Sequence, residues 1–202
     1  NAGDYQLLQV IAGVLEPMLG QSYYERFLHS SNVFYNVLFS KPYDEASLDM
    51  QLRYQQWDKN DTYQLALLCL QEDSGQDTHA AMNIMLHTLS QQLPSCVTLR
   101  KKPYILLLSN REFSEDPGFL QFQQAIAANN PVQIGFSLPC RGIAGTNYLF
   151  GQARAAIRYG NLFAPSQRIY RFFDYAIEYI LTSSSFADCL HACCPSVREI
   201  WE

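Results

Sequence analysis

The residues of this chain best suited to chemistry are five cations in its middle part. Lys101 and Lys102 stand in the run Arg100-Lys101-Lys102-Pro103, Arg141 precedes Gly142 and Gly145, and Arg154 and Arg158 lie four residues apart. Guanidinium and ammonium groups that converge can clamp a phosphate or carboxylate, the arginines in two-pronged fashion. An anion or a nucleotide is the ligand such a set would hold. Each cation also has a plainer use. Lysines in a hairpin turn blunt a sheet edge, and arginines at i, i+4 are common on a solvated helix face.

Other kinds of chemistry are less well equipped. Cys189, His191, Cys193 and Cys194 cluster as metal ligands would, but adjacent cysteines rarely share one tetrahedral zinc and no second ligand pair follows. Read as a helix, Leu190, Cys193, Cys194 and Val197 share an apolar face. Ser137 sits in Gly135-Phe136-Ser137-Leu138-Pro139, which lacks the second glycine and the immediate helix of a nucleophile elbow. The histidines (His29, His79, His87, His191) show no pairing pattern. The residues therefore predict no catalytic group, no metal ligand and no cofactor.

Composition narrows the class. The chain has 202 residues and a net charge of -5, with 48% hydrophobic and 16% charged residues, which describes one large globular domain or one domain with a helical extension. Charge is uneven: residues 1–99 carry 4 basic and 11 acidic side chains, residues 100–172 carry 9 and 3, and residues 173–202 carry 1 and 5. An acidic chain is poorly suited to binding DNA by itself, because nonspecific affinity comes mostly from neutralising phosphates. The basic middle either holds an anion or complements the acidic remainder, within one molecule or across a dimer. The longest uncharged apolar run, Leu65 to Leu70, is far too short to cross a bilayer. The opening NAGDYQLLQV has no basic region typical of a signal peptide, and the six cysteines show no CxxC spacing. A reduced, cytoplasmic protein without membrane association is the expectation.

Positioning elements follow from hydrophobic period. Leu7, Leu8, Ile11, Leu15 and Met18 mark a first helix. Tyr23, Phe27, Phe34 and Leu38 mark a second whose aromatic surface suits self-association, with Phe27, Phe34 and Leu38 as the expected dimer face. A third covers Glu45 to Gln56 with Leu48, Leu52 and Met50 inward, and Trp57 closes this part. From Thr62 strands and helices alternate. Tyr63 to Leu70, almost continuously apolar, suits a central strand covered on both faces. Thr78 to Leu93 is an amphipathic helix with Met82, Met85, Leu86 and Leu89 on one face. Cys96–Leu99 and Tyr104–Leu108 form a hairpin around residues 100–103. Asp116-Pro117 starts a helix with inner residues Phe119, Phe122 and Ile126. Val132 to Leu138 alternates as a strand with one buried face, and a glycine loop leads to a helix with Leu149, Ala153, Ala156 and Ile157 inward. Arg168–Phe172 and Asp174–Leu181 read as a last strand and helix. The order predicts a βαββαβ core with additions: an α+β sheet with helices on one face.

The run VQIGFSLPCRGIAGTNYLFGQARAAIRY, Val132 to Tyr159, resembles the degenerate GGDEF-like domain of the PucR/CdaR family of bacterial transcription regulators, of the purine-catabolism and sugar-diacid type. There the same stretch reads roughly "iGiS-p-g-leG---ay-eAr-Al--g". The tail, Cys194-Pro195-Ser196-Val197 to Trp201, loosely matches the segment that leads such proteins into a C-terminal helix-turn-helix. The resemblance implies a nucleotidyl-cyclase/GGDEF-like fold with a ferredoxin-like βαββαβ core and antiparallel sheet, preceded by a helical linker. It implies three parts: residues 1–58 as helical linker and dimerisation segment, 59–181 as the degenerate domain, and 182–202 as the start of the connection to a helix-turn-helix missing from this chain. It further implies a homodimer, a small-molecule effector of unknown identity, and DNA contact only through that missing part.

The resemblance also frames the question of catalysis. A nucleotide cyclase needs two metal-binding carboxylates, one after the first strand and one at the central hairpin. Glu72 and Asp73 follow the first strand, but where diguanylate cyclases carry Gly-Gly-Asp/Glu-Glu-Phe this chain has Arg100-Lys101-Lys102-Pro103. The expectation is a signal-relaying domain that is not an enzyme. A small-molecule or nucleotide sensor using the basic segment 100–171 is the alternative, and an active cyclase is disfavoured.

Overall fold

A computed structural model of the chain describes residues 33–70, 78–129, 132–182 and 193. The helix expected over Leu7–Met18, the aromatic Phe27, the carboxylates Glu72 and Asp73, and the tail apart from Cys193 lie outside the described residues.

Two short helices, α1 (Val33–Leu38) and α2 (Glu45–Gln55), precede the sheet. The Asp44 carboxylate caps α2 by accepting from Ser47 N at 2.8 Å, satisfying a donor that the helix start leaves unpaired. Gln56 ends α2 in the left-handed region at φ 58°. Leu48 and Leu52 are buried as expected, but Met50 is exposed; it stands two residues from each, on the opposite side of the helix.

Strand β1 (Thr62–Leu70) leads through α3 (Thr78–Gln92) to the hairpin β2 (Val97–Lys101) and β3 (Tyr104–Ser109). Helix α4 (Pro117–Asn129), β4 (Val132–Phe136) and the two-residue β5 (Cys140–Arg141) follow. A 3-10 turn (Ile143–Tyr148) then opens α5 (Leu149–Phe163), and the chain continues through β6 (Ile169–Arg171), another 3-10 turn (Phe172–Tyr175) and α6 (Ala176–Thr182). The start of α4 is fixed by Asp116, whose Oδ1 accepts from Gly118 N at 2.9 Å and Phe119 N at 3.1 Å. Pro117 occupies a position where no backbone donor is needed.

The sheet order is β2-β3-β1-β4-β6, with β5 paired to the beginning of β1. All pairs are antiparallel except β4–β6, which is parallel. Elements β1 to β4 with α3 and α4 form the βαββαβ unit, so the α+β cyclase-like fold holds, with one parallel pair added at its edge. Alternate residues of β1 enter different cores, as a strand's period of two requires. Tyr63, Leu65 and Leu67 face α1, α2 and α5 in one apolar cluster. Ala66 and Leu68 join Met82, Leu89, Phe119, Ile105 and Ile134 in the other.

Helices thus cover both faces of the sheet rather than one. Strand β4 is accordingly buried along its whole length, not on a single face, with Gln133 paired to Asn161 of α5. The expected boundary at residue 58 also does not divide the packing. Phe34 of α1, Trp57 and Tyr63 of β1 form a run of rings with centroids 5.4 and 5.7 Å apart, within the same cluster as the sheet and α5.

Two glycines let α5 lie against the sheet. A Cβ on Gly135 would stand 2.2 Å from the carbonyl oxygen of Ala153, and one on Gly160 would stand 2.0 Å from Cδ1 of Tyr170. The buried alanines Ala153 and Ala156 continue this close seam. The small residues of the 132–159 run are therefore packing residues.

Candidate functional site

Strand β1 runs antiparallel to both neighbours, with Cys69 opposite Tyr104 and Leu70 opposite Val132. Its end, the β2–β3 turn and the beginning of β4 therefore share one end of the sheet. Two further elements reach that end: the chain leaving α1, with Phe39 and Lys41, and the first turns of α5, with Phe150 and Arg154.

Four rings form a ladder there. Tyr35 and Phe39 have centroids 4.5 Å apart, Phe39 and Phe150 5.1 Å, and Phe150 and Tyr104 6.0 Å. Three cations lie against it. The Lys101 Nζ is 3.5 Å from the Phe39 centroid and 4.4 Å from that of Phe150, the Arg154 guanidinium carbon is 5.8 Å from Phe150, and the Lys41 Nζ is 4.8 Å from Tyr35. These are cation–π contacts, in which the ring quadrupole partly replaces lost water. Among the described residues none of the three makes an ion pair with a carboxylate. Partial burial, and then the charges of Arg154 and Lys41, hold the Lys101 ammonium below the ordinary lysine range. Burial likewise raises the Tyr104 phenol, with Arg154 opposing. A site of this kind can attract a negative group; among the described residues it offers no general base and no anionic metal donor.

The five cations singled out in the sequence do not all meet here. Lys101 and Arg154 do. Lys102 is exposed in the hairpin turn, and Arg158, one turn beyond Arg154, lies with its guanidinium 5.6 Å from the Tyr159 centroid. Arg141 is at the opposite end of the sheet, opposite Thr62, roughly 20–25 Å along β1 from Cys69 at the usual strand rise. Arg100, expected in the turn, is instead inside β2, 8% exposed, and donates to Asn83 Oδ1 at 3.0 Å. Lys41 and Phe150 are not among the candidate residues the sequence offers. Their signal in sequence is only that a cation and an aromatic stand close together at each position.

Two of the three residues expected at a dimer face are buried within the chain itself. Phe34 and Leu38 are 2% and 1% exposed, packed on this chain's own α2, Trp57 and sheet. They are core residues and cannot meet a second copy without unfolding α1 from its place.

Ser137 has a structural task. Its buried Oγ accepts from Leu65 N at 3.0 Å and donates to the Leu138 carbonyl at 2.9 Å, while Gln152 Oε1 accepts from Leu138 N at 2.9 Å. A cleft of about 170 Å³ beside it, lined by Glu112, Phe136, Arg171 and Phe173 among others, therefore has no activated nucleophile from this serine. Among the described residues no three of His, Cys, Asp and Glu group as metal ligands would, and no helix is long and apolar enough to cross a membrane.

Residues 40–159, which include the hairpin, the glycine loop and most of α5, match the family described as GGDEF-like domain. No curated protein matches the chain.

Proposed function

Because the chain belongs to the GGDEF-like domain family, we propose that it is a regulatory member of that fold which performs no cyclase chemistry and relays a signal within a PucR/CdaR-type bacterial transcription regulator. The observation that carries this reading is the chemistry of the hairpin. A cyclase of this fold places metal-binding acid and glycines there, to hold Mg²⁺ on a triphosphate and let the base approach. Here the hairpin presents Lys101, lodged between Phe39 and Phe150, with Lys102 beside it. An ammonium cannot coordinate a cation, so this part of the site does not fit the metal.

In this reading the domain works in the cytoplasm as a homodimer. DNA contact belongs to a helix-turn-helix outside these 202 residues, and a change of state passes through packed elements with two arrangements. The chain is incubated with GTP or ATP and Mg²⁺ or Mn²⁺, and products are resolved by chromatography. No cyclic or linear dinucleotide and no cyclic mononucleotide is expected. Formation of one, abolished by Glu72→Gln or Asp73→Asn, overturns the reading.

A second reading, a small-molecule sensor, is favoured by the convergence of Lys41, Lys101 and Arg154 on one aromatic ladder. Its ligand would be an anion. Thermal shift with pyrophosphate, GTP, ATP, cyclic dinucleotides and dicarboxylates tests it, since a ligand that binds only the folded chain raises its melting temperature. A shift that Arg154→Ala removes supports a sensor; no shift across the panel rejects it.

A further inference from the structure

The last two helices carry an apolar surface that the described chain does not cover. Phe173, Ile177 and Leu181 recur at i, i+4, i+8 through the 3-10 turn and α6, so they fall on one face, and they are 70%, 72% and 79% exposed. At the end of α5, Leu162 and Phe163 are 70% and 58% exposed. Tyr159 links the two groups: its hydroxyl bonds to Thr182 at the end of α6, and its ring stacks on Phe163. An aromatic side chain carries ~150–250 Å² of surface, so five large apolar side chains exposed to this degree present on the order of 500 Å². That is near the top of what a monomer usually leaves open and would form the centre of a standard interface of about 800 Å² per partner.

Charge indicates which partner fits. Residues 172–182 carry Asp174 and Glu178 and no basic residue, whereas α5 carries Arg154 and Arg158 and no acidic one. Among the described residues neither set forms ion pairs. An isologous contact, in which each residue pair occurs twice, would bring the acidic helix of each copy to the arginine helix of the other, around a shared apolar centre.

We propose that Phe173, Ile177, Leu181, Leu162 and Phe163 form the contact between two copies of this chain, with Arg158 and Glu178 pairing across it. The proposal rests on the reading of the domain as a dimeric relay and relocates its interface from α1 to α5 and α6.

Sedimentation equilibrium of the 202-residue chain between 1 and about 200 μM, with circular dichroism as a fold control, tests it. The expected result is a dimer whose dissociation constant rises at least tenfold in Ile177→Glu, a substitution at an exposed position that leaves the spectrum unchanged. Arg158→Glu and Glu178→Arg should each weaken the dimer, and the double exchange should restore it. A dimer untouched by Ile177→Glu rejects this face while leaving a dimeric relay in place. A monomer at every concentration rejects both.

Discussion

The Lys101 ammonium stands 3.5 Å above the centre of the Phe39 ring, which joins the hairpin of the sheet to the chain leaving α1. Phe150 of α5 closes the other side at 4.4 Å. Three elements distant in sequence thus meet on one side chain, at the hairpin end of the sheet.

Exchanging Lys101 for methionine should change how stability depends on pH. The folded-state value of this lysine lies below its ordinary 10.5, so between those two values the native chain holds fewer protons on it than the unfolded chain. Stability from this residue therefore rises with pH through that window. Urea midpoints of the wild type and Lys101→Met at pH 7 to 10.5 should show the rise reduced in the variant. An unchanged slope would mean that neither the partial burial of Lys101 nor the crowding by Arg154 and Lys41 is felt in solution.

Cys96 should act in the opposite direction. Burial pushes its thiol from 9.0 to about 11, so the native state keeps a proton that the unfolded state loses. Its contribution, on the order of 2–3 kcal/mol, is present below pH 9 and lost as pH climbs toward 11. Cys96→Ala should flatten this alkaline loss. In the wild type at pH 8, iodoacetamide should leave Cys96 unmodified in the native chain and label it in urea, as read by peptide mass spectrometry.

Gly135→Ala and Gly160→Ala should destabilise the chain by about 1–3 kcal/mol or more. The first places a methyl against backbone, which cannot rotate away, and the second against the buried Tyr170 ring. Gly151→Ala is the control: nothing lies within 4 Å of the added atom, and higher helix propensity should leave stability equal or slightly raised. Urea unfolding with unchanged slope reads all three. Equal stability of Gly135→Ala and the wild type would refute the close seam.

Ser137→Ala should cost about 1–3 kcal/mol, since it leaves the Leu65 N–H without its buried acceptor from this side chain. Any response to an anion at the hairpin end should be unaffected. Loss of a binding response with stability intact would instead place Ser137 in a ligand site.

What the sequence determined by itself was local in origin. The apolar run of β1, the periodic face of α3, the Asp116-Pro117 start of α4 and the small-residue seam of α5 each arise from neighbours in the chain, where hydrophobic period, capping and turn chemistry act. Together with a resemblance concentrated in residues 132–159, they sufficed for the cyclase-like fold. The tertiary structure alone decided which cations meet. Arg141 is drawn to one end of β1 by strand pairing with Thr62, while Lys41, Lys101 and Arg154 are brought to the other by sheet order and by the close packing of α5 against Gly135. It also decided that Phe34 and Leu38 fill a core, because an aromatic helical face reads the same whether its cover comes from the same chain or another. Burial is set by the whole set of packed elements, and no window of sequence contains that set.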